Sequence, residues 1–392
     1  MIARIIIPLI LIVLLSDVYI DFHFLRRITS RIRRATYRMF WFAQSMSVMA
    51  YALMLATEKN FAPANIDKLN LFLLLTGVWI LPKFIFAVCS TLGWGHCAYH
   101  KTKTNWGNYA GTVIGVIVAA TTVYGYTWGF SQIQVRHITF ASSELPEGFN
   151  GYKIVQFSDA HVGTYSGSKA HILAAAMDSI NAQHPDMIVF TGDLQNMMPS
   201  EIAEKHDVLS RLHAKDGVFS ILGNHDYAFY LDADNTTRER ICKEVKMQQR
   251  KLGWTLLCNE NRIIHRGTDS IVVAGMEYEG KNKRCSNRGD IQKTMLGIDK
   301  RNSFVVMLQH DPTFWESDIL THSNAQITLS GHTHAGQMKL FGWSPASLIY
   351  KYWDGLHYKG KRALNVSSGL GGFAPFRFWC PGEIVVIKLI RK

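Results

Sequence analysis

The sequence predicts a two-part chain: an α-helical domain of four membrane spans, then an α/β domain. Three observations carry this. Four long apolar runs occupy the first third of the 392 residues. From about residue 135 short apolar runs alternate with polar helical stretches. Five short motifs rich in Asp, His and Asn then follow those short runs directly. The expected division is 1–134 for the spans and 135–392 for the α/β domain.

The apolar runs are 2–20, 39–56, 71–94 and 109–130. About 20 apolar residues in a helix cross a hydrocarbon core of roughly 30 Å. A cleaved signal peptide would account for the first run alone, but three more follow, which favours four spans. Pro82 and Lys83 interrupt the third run. Arg26, Arg27, Arg31, Arg33, Arg34 and Arg38 crowd the first loop, and the positive-inside rule assigns such a loop to the cytoplasm. The 57–70 loop balances Glu58 and Asp67 against Lys59 and Lys68, which suits the outer side, and the loop at Lys101 and Lys103 returns inside. The expectation is an integral protein of the bacterial cytoplasmic (inner) membrane with its α/β domain extracytoplasmic.

Charge supports this partition. Up to residue 134 there are 12 Lys and Arg against 4 Asp and Glu; afterwards there are 30 against 26. The basic excess belongs to the membrane domain, so no specific nucleic-acid partner is expected. The 6 cysteines form no C-x-x-C pair, which argues against a structural zinc site and a dense disulfide scaffold.

In the second part, 153–157, 187–191, 218–222, 304–308 and 327–329 read as strands, 171–183 as a helix and 384–389 as a final strand. Alternation of this type indicates an α/β domain. Each motif stands just past a strand: Asp159-Ala160-His161, Gly192-Asp193, Gly223-Asn224-His225-Asp226, His310 and Gly331-His332-Thr333-His334. Strand C-termini are where open α/β sheets form their binding crevice. Carboxylate, imidazole and amide donors together suit divalent transition ions. Gly369-Leu370-Gly371-Gly372 lacks the phosphate-loop lysine pattern and reads as a turn.

With Gly331–Gln337 (GHTHAGQ), Gly223–Tyr227 (GNHDY) and the tail around Gly369, Arg377 and Glu383, these motifs resemble the calcineurin-like metallophosphoesterases. The likeness covers about 135–392 and leans to the membrane-anchored bacterial branch, which includes phosphodiesterases and relatives acting on UDP-2,3-diacylglucosamine. It implies a four-layer sandwich of two mixed β-sheets flanked by helices, and two divalent metal ions, Mn, Fe or Zn. Asp159, His161, Asp193 and His334 would hold one ion; Asp193, Asn224, His310 and His332 the other. His225 would lie beside the phosphate as a catalytic residue, with Asp226 orienting its ring. At Asn196 relatives often carry an acidic residue.

A phosphate ester repels nucleophiles by its own charge. Two ions about 3.5–4 Å apart would clamp the phosphoryl oxygens and acidify a bridging water, whose hydroxide attacks in line. An imidazole near its titration point suits the general acid, here His225. The expected substrate is a phosphate-containing small molecule or lipid. A nuclease, a phosphoprotein phosphatase and an inactive binding protein are the alternatives. Other histidines, such as His137 and His171, fit ordinary surface or core roles. Asp311 could orient His310 or cap a helix before Pro312. Arg377 could meet phosphate or a carboxylate. Trp343, Trp353, Phe373, Phe376 and Trp379 fit core packing or a rim facing the membrane.

Overall fold

The computed structural model describes residues 2–58, 66–280 and 285–392. Most of the loop between the second and third spans, Lys59 included, lies outside them. The chain divides into two compact units, Met1–Thr127 and Trp128–Lys392. This boundary falls ahead of the expected 134/135 because residues just past the fourth helix pack into the second unit: the Phe130 ring lies 5.3 Å from that of Tyr165.

Among its described residues the first unit has four helices long and apolar enough to cross a membrane, Ile5–Arg27, Arg31–Ala56, Ile66–His100 and Trp106–Gly129. The second starts at Arg31, ahead of the apolar run, because Ser30 caps it by accepting the Arg33 amide, and because Arg38 and Arg26 bind Asp21. The third runs unbroken through Pro82. A π-helical turn at Thr76–Ile80 precedes the proline and shifts the hydrogen-bond ladder there, so that the helix continues past a residue that donates no bond. Lys83 points inward. Its Nζ donates to the Trp41 carbonyl at 2.9 Å and Ser45 Oγ at 2.8 Å, and Asp17 Oδ1 lies 3.5 Å away. A charge at that depth is tolerable only when paired in this way.

The described residues of the second unit contain twelve strands: β1 (Ile133–Ser142), β2 (Lys153–Phe157), β3 (Met187–Phe190), β4 (Val218–Ser220), β5 (Thr255–Leu256), β6 (Glu260–Arg266), β7 (Asp269–Gly275), β8 (Phe304–Leu308), β9 (Ile327–Ser330), β10 (Gly355–Lys359), β11 (Arg362–Val366) and β12 (Gly382–Arg391). They form two six-stranded sheets, ordered β1-β12-β2-β3-β4-β5 and β10-β11-β9-β8-β7-β6. Both are mixed. The β2–β5 and β7–β9 pairings are parallel, whereas β12 meets β2, β6 meets β7 and β10 meets β11 antiparallel. The inner faces interlock through Ile154, Val189, Phe219 and Ile221 of one sheet and Ile271, Val273, Val306 and Leu329 of the other. Outside the second sheet, Val272, Val305 and Met307 pack on Trp315 and Ile319 of a helical turn. The helix Ala170–Asn181 buries Ile172, Leu173, Ala176, Met177 and Ile180, an i, i+4 apolar stripe. Two mixed sheets flanked by helices are the expected sandwich.

Register decides where the chemistry sits. Parallel pairing of β2, β3 and β4 brings their C-terminal ends together. β8, β9 and β11 end together in the other sheet.

Candidate metal centre

The chain turns sharply at each strand end. Asp159, His161, Asp193, His332 and His334 all have positive φ, between 46° and 73°. Non-glycine residues rarely adopt this conformation, which costs on the order of 1–3 kcal/mol each and clusters at functional sites. Glycine makes the crowding possible. A Cβ on Gly331 would collide with the side chains of Ser158 and Asp159, and one on Gly223 with the Asp193 carboxylate.

The seven positions expected as ligands converge. His161 Nε2 and His334 Nε2 face each other at 3.3 Å, and His334 Nε2 is 3.3 Å from Asp159 Oδ1. His310 Nε2 lies 3.1 Å from Asn224 Oδ1 and 3.3 Å from both Asp193 Oδ2 and His332 Nδ1. Asp193 Oδ2 is also 3.8 Å from His161 Nε2, so this carboxylate touches both halves.

Hydrogen bonding shows what these atoms await. His310 Nδ1 donates to the Thr191 carbonyl at 2.7 Å, which leaves Nε2 to aim its lone pair at two acceptor oxygens. Facing acceptors repel unless a proton or cation lies between them. Burial, joined by the neighbouring His225 charge, pushes the His161 imidazole well below its usual value, and burial brings His334 down to about 4. Both are therefore neutral donors. For His310, burial opposes protonation but the Asp193 carboxylate outweighs it and raises the group to about 10. Among the described residues no Lys or Arg forms an ion pair with Asp159 or Asp193. The donor set fits a divalent cation.

The surroundings hold the donors in place. His332 Nε2 lies 3.4 Å from Asp311 Oδ2 and 3.3 Å from the Tyr350 hydroxyl, leaving Nδ1 for the centre. Asp311 thus supports His332 rather than His310, and its other oxygen caps the short helix through the Thr313 amide at 2.9 Å. Arg377 turns its guanidinium to backbone carbonyls rather than to a carboxylate. Fully buried, it donates to the carbonyls of Ser368, Gly369, Gly371, Cys380 and Pro381, tying down the loop behind Asp159.

Asp226 and His225 require a correction. Asp226 does not orient the His225 ring. Its carboxylate accepts the amides of Asp193 (2.9 Å), Leu194 (3.0 Å), Gln195 (3.2 Å) and Gly223 (3.0 Å), fastening two of the motif loops together. The ring is held instead by Asn196, whose carbonyl accepts from His225 Nδ1 at 2.6 Å. A carbonyl needs no particular side chain, so the sequence carried no sign of it. Nor is the side chain of Asn196 turned to the centre, since its Nδ2 donates to Thr164 Oγ1. Tyr350 and Tyr278, whose ring lies 6.2 Å from those of both His310 and His332, also escaped the motifs.

Comparison with known families agrees with this geometry. Residues 152–336 match the family described as Calcineurin-like phosphoesterase, and 3–130 match Probable Calcineurin-like phosphoesterase, transmembrane domain. The chain belongs to the calcineurin-like phosphoesterases. It is therefore a metal-dependent phosphoric ester hydrolase linked to a membrane domain. The Uncharacterized metallophosphoesterase YkuE of Bacillus subtilis is 29% identical over 293 residues, 71% of this chain and 94% of that protein. The zebrafish Danio rerio Transmembrane protein with metallophosphoesterase domain is 27% identical, over 72% of this chain and 63% of its own length. The UDP-2,3-diacylglucosamine pyrophosphatase LpxG of Chlamydia trachomatis serovar D is 26% identical, over 71% of this chain and 98% of that protein.

Proposed function

We propose that this membrane-anchored phosphohydrolase holds two divalent ions and cleaves a phosphodiester or pyrophosphate bond in a lipid or cell-envelope precursor. The observation that carries this reading is Asp193, whose Oδ2 lies 3.3 Å from His310 and 3.8 Å from His161 and so serves both halves of the cluster. Asp159, His161, Asp193 and His334 hold one ion; Asp193, Asn224, His310 and His332 the other. When bound, Mn, Fe or Zn supplies Lewis acidity to the phosphoryl oxygens and lowers the pKa of a water.

The chain's own residues do the rest. Asp193 and Asp159 balance the cationic charge. Donation from His225 Nδ1 to the Asn196 carbonyl fixes the ring and leaves Nε2 free to face the departing oxygen as its general acid. Asp226 keeps the Asp193 and Asn224 loops at fixed separation. The similarity to a pyrophosphatase of a lipid-linked nucleotide supports that substrate class. The arginine-rich loop supports an extracytoplasmic catalytic domain in the bacterial cytoplasmic membrane; a C-terminal reporter active only in the cytoplasm refutes this.

The central test pairs elemental analysis with hydrolysis of lipid-linked, nucleotide-sugar and nucleic-acid phosphodiesters under Mn²⁺. Two metal equivalents and preference for the first two classes are expected; preference for nucleic acid selects the nuclease reading. His225→Ala is expected to keep both metals and lose roughly 10²–10⁴-fold on an alkyl diester, the usual share of general acid catalysis. Unchanged alkyl turnover removes His225 from that role.

A further inference from the structure

Beyond the metal ligands, the loops at this end of the sandwich expose large apolar side chains. Phe341 is 95% exposed, Leu348 78%, Ile349 77%, Trp379 52% and Trp343 46%. Most of the other large exposed apolar groups of the chain belong to the four membrane helices. These five come from two segments laced by backbone bonds: Lys339 N donates to Phe378 O, and Phe378 N to Gln337 O, each at 2.9 Å. The rings of Phe341 and Trp379 meet at 5.7 Å.

Local geometry works to display them. Leu340 and Trp343 exchange backbone hydrogen bonds around Phe341 and Gly342, whose φ angles are 50° and 83°. Positive φ at both central positions is a turn that favours Asn-Gly or Asp-Gly. Phenylalanine at the tip of such a turn opposes both conformational preference and solubility, which marks the apolar tip as functional. Trp379 too has positive φ, 49°.

Register shows which way this surface lies. Ile133, the first residue of β1, pairs with Gly382, three residues after Trp379. Only Gln132 separates Ile133 from Ser131, the last helical residue after the fourth apolar helix. β12 runs parallel to β1 and antiparallel to β2, so the end of β2 that leads into Asp159 is also the end where β1 begins. The Trp379 segment, the Asp159 loop and the residues that follow the fourth apolar helix thus share one end of one sheet, and the Phe341 turn is tied to that end through Phe378. Site and surface are continuous, since Tyr350, next to Ile349, reaches His332.

We propose that Phe341, Trp343, Leu348, Ile349 and Trp379 form a collar that inserts into the interface of the bilayer in which the chain is anchored. There it admits the hydrocarbon-linked phosphoester to the metal centre; this last step rests on the function proposed above. Aromatic and aliphatic side chains in this mixture are those that settle at the level of lipid headgroups.

The test uses the full chain in nanodiscs of phosphatidylethanolamine and phosphatidylglycerol. With the photo-reactive p-benzoylphenylalanine in place of Phe341, irradiation is expected to give lipid adducts on the 338–350 segment. No adduct, or adducts only to a second copy of the chain, overturns the collar. The double variant Phe341→Ser/Leu348→Ser is expected to keep turnover of soluble bis(p-nitrophenyl) phosphate within about twofold, yet lose about tenfold or more on hexadecyl p-nitrophenyl phosphate embedded in the nanodisc, from the apolar contact removed. Equal effects on the two esters overturn the collar's part in substrate access. An unaltered melting temperature shows the variant folded. If the wild type hydrolyses neither ester, the proposed function fails while the lipid adduct still reports the collar.

Discussion

Replacing Asp226 by asparagine tests whether this carboxylate acts on a ring or on a backbone. Its Oδ2 accepts the Asp193 and Gly223 amides and its Oδ1 those of Leu194 and Gln195. Asparagine keeps one oxygen, so one pair of amides stays satisfied and the other pair meets an NH2 group. Two buried N–H groups without acceptors cost about 1–3 kcal/mol each, hence about 4 kcal/mol in all. For a domain of this size that corresponds to a fall of roughly 8–16 °C in melting temperature. Because the two loops carry Asp193 and Asn224, metal affinity is expected to drop about 10–100-fold, as for other groups that orient ligands. Differential scanning fluorimetry in detergent and a chelator-competition titration read both quantities. A variant with wild-type melting and metal affinity but a displaced pH–rate profile refutes this account, because it would show that Asp226 acts through the His225 imidazole.

Three further predictions concern other parts of the molecule. Gly331→Ala places a methyl against Ser158 and Asp159 and should lower bound metal, seen by elemental analysis, with far-UV circular dichroism retained. Glu383 is opposed by burial but held below its ordinary value by Arg136. Its stabilising share is therefore full above the unfolded value, about 4.3, and is lost as pH falls through the lower folded one. Glu383→Gln should be less stable at neutral pH and show a shallower acid-side loss between pH 5 and 3; identical acid profiles refute the pairing. In the membrane unit, Lys83→Met leaves Asp17 buried without its partner and should destabilise the bundle more than Lys83→Met combined with Asp17→Asn, measured by unfolding in mixed micelles. A double variant weaker than the single one contradicts the buried pair.

The strands bearing motifs were legible because they are short, continuous apolar runs buried on both faces, as in Phe304–Leu308, and because a glycine or a motif residue marks each end. β1, β5, β6, β7, β10 and β11 were not singled out. β1 interrupts its apolar residues with Gln134, Arg136 and His137 at a sheet edge, and β10 likewise has one neighbour only, so neither shows the apolar run of a central strand. The arginine-rich start of the second helix was obscured for a similar reason: its polar turns are helical through capping and the Asp21 pairing, which hydropathy does not register.

What the sequence determined by itself is the inventory: four helices able to cross a membrane, an α/β domain after them, and donor side chains whose chemistry suits divalent cations. Those are local properties, set by residue type, spacing and apolar length. Tertiary structure decided everything that depends on distant segments meeting. It gave Asp226 to the backbone of its neighbouring loops, His225 to the Asn196 carbonyl, Asp311 to His332 and Arg377 to a set of carbonyls. Backbone groups are the same at every residue, so a sequence motif cannot reveal which of them will be used. Strand register across β1, β12 and β2 likewise brought the start of β1 and the Asp159 loop to one end of a sheet through hydrogen bonds between residues more than two hundred positions apart, and the Lys339–Phe378 backbone bond set the Phe341 turn beside them.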